Sequence, residues 1–156
     1  MSVMKAEFKR WLAAQISTVP SVRSCLVDRE ADLVVRTWSA TVTFIILLDD
    51  LIKPRQLRKI VNDNSRIGAG SLFLLPDALV PPDGSTLEPA ETLLALHALH
   101  RDKLYTYPAS GGAPFIGQVH FKSYGRMRMY EVWYGPAVQI QQLPCYRVWV
   151  KGPHSV

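Results

Sequence analysis

Thr41-Val-Thr-Phe-Ile-Ile-Leu-Leu48 is the stretch on which the fold turns. It begins with β-branched residues and continues wholly apolar. A strand that buries one face alternates apolar and polar residues. A run without alternation is covered on both faces, as central parallel strands are. Asp49-Asp50 ends the run. Pro54 then suits the first turn of a helix, with Leu57, Ile60 and Val61 as its apolar stripe and Asn64 and Gly68 as stop signals. Residues 71–75 form a second short apolar strand that ends at Pro76. Strand, helix, strand in this order predicts a right-handed parallel crossover.

Toward the N-terminus, residues 32–38 and 25–28 read as two further strands. Residues 3–17 read as an amphipathic helix ended by Pro20, with Met4, Phe8, Trp11, Leu12 and Ile16 inward. Lys5, Lys9 and Arg10 are assigned to its outer face. Toward the C-terminus, residues 76–89 hold four prolines and form a loop, and a third helix runs from about Pro89 to Arg101. Residues 104–107, 115–124, 127–134 and 145–151 then read as strands of an aromatic antiparallel meander. Ser110-Gly-Gly112 and Tyr124-Gly125 sit at its hairpin turns. The expectation is one mixed α/β domain over residues 1–156. Residues 1–101 make a helix and strand core with one β-α-β crossover. Residues 102–156 extend it as antiparallel strands, and about three helices flank the central mixed sheet.

The order helix, three strands, helix, strand, helix over roughly residues 3–100 resembles the core of the restriction-endonuclease-like nucleases. The resemblance is one of topology. It implies a metal held by an Asp and by a following Glu-x-Lys pair on adjacent strands. Asp32, at the start of a strand, stands where the first acid would be. Asp50 and Lys53 are the nearest match to the second motif, but they are three residues apart and lie in a turn running into Pro54. Strand alternation cannot put them on one face, so the resemblance implies a degenerate, inactive nuclease site.

The chain has 156 residues, of which 48% are apolar and 20% charged. That suffices for one core and argues against intrinsic disorder. The longest apolar run, 44–48, is far below the roughly 20 residues a membrane helix needs. Lys5, Glu7, Lys9 and Arg10 interrupt any signal-peptide core. Cys25 and Cys145 lack the spacing of a disulfide framework, which points to the cytoplasm and leaves one long-range bridge open.

Net charge is +5, unevenly spread. Residues 51–66 carry five basic groups against one acid, 67–100 carry four acids and no Lys or Arg, and 101–156 carry seven basic groups against two acids. Two basic regions suit an anionic partner, either nucleic acid or an acidic protein. Arg55, Arg58 and Lys59 lie opposite the apolar stripe of the second helix. Arg126, Arg128, Arg147, Trp149 and Lys151 interleave with Lys122, Tyr124, Tyr130, Trp133 and Tyr134, which suits phosphates and stacked bases. The alternative is a solvated cationic face with aromatics in the core or at a subunit contact.

Asp49, Asp50 and Asp77 would fall at the carboxyl ends of two parallel strands, the edge where open α/β sheets bind ligands. With Asp32 they form a candidate Mg²⁺ site. The alternative is that Asp50 caps a helix and Asp77 starts a turn. His97 and His100 share a helix face, and with His120 could serve a metal. The functional expectation is a non-catalytic binding or assembly module for nucleic acid or another anion. The alternatives are a metal-dependent phosphodiesterase and a self-associating structural subunit.

Overall fold

The computed structural model describes residues 3–28, 32–125 and 127–146. Eight strands form one mixed sheet: β1 (Val22–Val27), β2 (Leu33–Thr37), β3 (Val42–Leu47), β4 (Ala69–Pro76), β5 (Thr86–Leu87), β6 (Leu104–Tyr107), β7 (Gly117–Ser123) and β8 (Tyr130–Tyr134). Their spatial order is β1-β2-β3-β4-β6-β7-β8-β5. Three α-helices accompany them: α1 (Val3–Ser17), α2 (Pro54–Arg66) and α3 (Glu91–Leu99).

Strands β3 and β4 are parallel neighbours, from Val42↔Ala69 to Leu47↔Leu74, with α2 as the crossover. β4 carries neighbours on both edges and alternates between two cores. Leu72 and Leu74 pack with Phe8, Leu12 and Ile16 of α1. Phe73 and Leu75 pack with Leu57 of α2 and with Leu93 and Leu96 of α3. β3 alternates likewise, Ile45 and Leu47 facing α1 and Ile46 facing the other helices. An unbroken apolar strand is what a sheet covered on both sides requires.

A second crossover was not anticipated. β6 pairs parallel to β4, from Leu74↔Tyr105 to Pro76↔Tyr107, before turning antiparallel into β7. The chain reaches it through α3, which packs on the same face as α2. Two successive crossovers moving the same way across a sheet, with the same hand, must lie on one face.

The meander is shorter than its sequence suggests. β8 begins at Tyr130, and just before it the Tyr124 N–H bonds the Met129 carbonyl at 2.9 Å. Two residues of the proline-rich loop, Thr86 and Leu87, add a strand beside β8. The expected strand at 145–151 is corrected where it can be seen: Pro144–Tyr146 is a single 3₁₀ turn. Thr43 Oγ1 bonds the Cys145 carbonyl at 3.3 Å and Tyr146 donates to the Ile140 carbonyl at 2.8 Å. Those bonds lay the segment across the sheet face instead of into a ladder. Residues 147–151 lie outside the described residues.

Candidate functional site

β2 runs antiparallel to β3, so Asp32, just before β2, reaches the same sheet edge as Asp49 after β3 and Asp77 after β4. Tyr107, at the end of β6, is there too, its hydroxyl donating to the Leu48 carbonyl at 2.6 Å. Burial pushes its pKa up, and the charges of Asp49, Asp32 and Asp77 add to that. Three of the four acids thus converge as the parallel pairing requires.

Each of them is already engaged. Asp32 forms a close ion pair with Lys9 through Oδ1, and its Oδ2 accepts the Leu47 N–H. Asp49 pairs with Lys5 at 2.9 Å. Asp77 accepts the Ala109 N–H at 3.3 Å. Asp50 turns away and accepts its neighbour Leu51's N–H at 2.8 Å, and both Asp50 and Lys53 are exposed in the turn before α2. Among the described residues no group of three His, Cys, Asp or Glu side chains is placed to hold a metal.

The assignment of Lys5 and Lys9 to the outer face of α1 is corrected: both are buried. At 100° per residue, Lys5, Lys9, Leu12 and Ile16 fall within one narrow stripe, with Phe8 at its side. Lysine stems cover apolar surface while their heads reach the acids at the sheet edge.

Among the described residues the histidines are not grouped to hold a metal. His97 Nε2 accepts the Phe121 N–H and His100 Nε2 accepts the Phe73 N–H, each at 3.1 Å. β6 is only four residues long, so β4 upstream of Leu74 and β7 beyond Val119 lack a strand on that side. The two imidazoles fill the gap, satisfying buried amides that would otherwise cost stability. Burial lowers both pKa values, that of His100 to about 4; for His97, Asp102 opposes the effect and His120 adds to it.

His120 lies on the opposite sheet face, which Phe121 on the same strand does not share. It pairs across strands with Trp133, the rings stacked at 4.1 Å with an interplanar angle of 13°. One step beyond the β6–β7 ladder, the same register sets Lys103 opposite His120. Lys103 just before β6, His120 on β7 and Trp133 on β8 therefore form a row. Trp133 remains 45% exposed. Beside the row is an open hollow of about 570 Å³, lined among others by Lys103, Tyr105, Gln118, Gln141, Gln142 and Tyr146.

The basic residues singled out in the sequence are divided. Arg55, Arg58 and Lys59 are exposed on α2, with Lys59 bound to Asp63 at 2.9 Å. α2 packs on the Phe73 and Leu75 side, so these cations are on the other sheet face from Trp133. Arg128 is exposed in the β7–β8 turn. Arg126, Arg147, Trp149 and Lys151 lie outside the described residues. Sequence reading missed the Lys103–His120–Trp133 row, whose only signal is register, invisible until the pairing of β6, β7 and β8 is known.

No family model, curated protein or solved structure matches the chain. No helix among the described residues is long and apolar enough to cross a membrane.

Proposed function

We propose that the chain is a non-catalytic, cytoplasmic binding module for single-stranded nucleic acid, held on the sheet face of Lys103, His120 and Trp133. One observation carries the reading: a half-exposed Trp133 stacked on His120 in a row that ends in a lysine. His120 covers one side of the indole and the exposed part is open to a nucleobase. Stacking on such rings is worth roughly 1–3 kcal/mol per base. Lys103 and the exposed Lys122 supply cations for the adjoining phosphates. The engaged state of Asp32, Asp49 and Asp77 supports a role without catalysis, and the free, buried Cys25 and Cys145 suit a reducing compartment.

The test is fluorescence anisotropy with a labelled single-stranded oligonucleotide at about 50 mM salt. Affinity should fall steeply between about 50 and 200 mM salt. Trp133→Ala should weaken binding about tenfold, in keeping with the loss of one stacked base. Absence of binding at low salt, or an unaffected Trp133→Ala variant, defeats the proposal.

A second reading has its own observation. β1 ends the sheet order, and its Leu26 and Val27 are 58% and 54% exposed. An apolar terminal strand is a template for pairing with a second copy. Sedimentation that stays monomeric over a hundredfold concentration range removes that reading.

A further inference from the structure

We infer that the hollow beside His120 is a nucleotide subsite whose phosphate, held by Lys103, favours the imidazolium form of His120, so that the site takes up a proton together with a phosphate. The inference rests on the nucleic-acid reading above and adds a specific chemical partner and a proton to it.

Gln118 sets the argument. Its Nε2 donates to the Pro136 carbonyl at 2.8 Å, and its Oε1 faces His120 Nε2 at 3.0 Å. Rotating the amide would set two oxygens against each other at Pro136, so Oε1 is held toward the ring. The other ring nitrogen, Nδ1, faces the Asp102 carbonyl at 3.1 Å. Arg101 and Asp102 adopt left-handed backbone, φ 56° and 68°, as the chain leaves α3, and this turn delivers that carbonyl. His120 therefore sits between two acceptors. A neutral imidazole has one N–H and satisfies one of them; the imidazolium satisfies both.

Other groups oppose the charge. Partial burial lowers the pKa of His120 and the Lys103 ammonium lowers it further, while the Asp102 carbonyl and carboxylate raise it. His97, on the α3 side of the sheet, feels the charge of His120, which lowers its pKa further. Lys122 and Glu131 form the next cross-strand pair along β7 and β8. A ring with two acceptors waiting, but a lysine beside it, is poised: both N–H groups of the imidazolium go to Gln118 and Asp102, so an anion held by Lys103 in the hollow acts on the ring through charge, offsetting the repulsion from Lys103 and favouring the protonated form.

The rest of the hollow fits a nucleotide. About 570 Å³ is within the range of small-molecule sites. The half-buried Tyr146 offers a ring, and the exposed amides of Gln141 and Gln142 offer donors and acceptors to a base edge.

The experiment follows the His120 ring proton by NMR from pH 5 to 8, with and without adenosine monophosphate, alongside isothermal titration of the same probe. The nucleotide should raise the His120 titration midpoint by about one pH unit, with affinity about tenfold tighter at pH 5.5 than at pH 8, since the two are reciprocal. Lys103→Gln should raise the midpoint of the unliganded protein and weaken binding. His120→Gln should bind with no pH dependence beyond that of the phosphate itself. A midpoint that the nucleotide leaves unmoved overturns the inference, as does inorganic phosphate binding as tightly as the nucleotide. If the oligonucleotide binds in a salt-dependent, pH-independent way, the subsite fails and the nucleic-acid reading stands; if neither probe binds, both fail.

Discussion

His100, just past the end of α3, accepts the main-chain N–H of Phe73 on β4, at 3.1 Å, and so stands in for a strand that is too short to reach. The bond needs a neutral imidazole, since a protonated ring would set donor against donor. In the folded protein the pKa is lowered by burial to about 4, against about 6.5 when unfolded. The unfolded chain therefore binds the proton first as pH falls. The contribution of His100 is complete above about pH 6.5, declines between 6.5 and about 4, and changes no further below that. Its size is roughly 3 kcal/mol. Urea unfolding between pH 4 and 8 should show this slope, and His100→Gln, which keeps an acceptor but does not titrate, should flatten it.

The two lysines of α1 should differ sharply on loss of their acids. Asp32→Asn leaves the Lys9 ammonium buried without a counter-charge, and such breaks cost about 3–5 kcal/mol. Asp49 is 78% exposed at the side chain, and Asp49→Asn should cost about 1 kcal/mol or less. Equal losses in urea unfolding would contradict the assignment of Asp32 as the buried partner.

Gly117 opens β7 opposite Thr106 of β6. A Cβ there would lie 2.4 Å from Thr106 Oγ1. Thr106 is buried and its branched side chain has little freedom to swing away. Gly117→Ala should therefore destabilise by about 1–3 kcal/mol. Thr106→Ala in the same chain should recover most of the loss, measured as a double-mutant cycle.

Millimolar Mg²⁺ should leave the melting temperature unchanged, because the carboxylates at the sheet edge are occupied by Lys5, Lys9 and main-chain amides. A ligand that bound only the folded state would raise it. A rise of several degrees would show that an ion displaces those partners.

The parallel β3–β4 pair was legible because burial on both faces writes itself into residues 41–48 as an absence of alternation. The placing of Asp49 and Asp77 on one edge followed from it, and Asp32 joins them through the antiparallel β2–β3 pairing. The roles of those acids were not legible, since the cations that engage Asp32 and Asp49 come from α1 and the amide that Asp77 accepts comes from Ala109. Lys5 and Lys9 were open to a stricter reading of the helical wheel, which places them in line with Leu12 and Ile16. The tasks of His97 and His100 depend on β4 and β7 running past β6, whose four residues are read correctly at 104–107 but whose pairing register is not visible in the sequence. His120 and Trp133 meet only because the β7–β8 register pairs them.

Asp32 touches Lys9 with one oxygen and the Leu47 amide with the other. One carboxylate thus clamps α1 to two strands that follow it in sequence. During synthesis that lock cannot close until residue 47 has left the ribosome and the β2–β3 hairpin has formed. The helix is therefore fastened by a hairpin made after it, and its lysines wait on that closure.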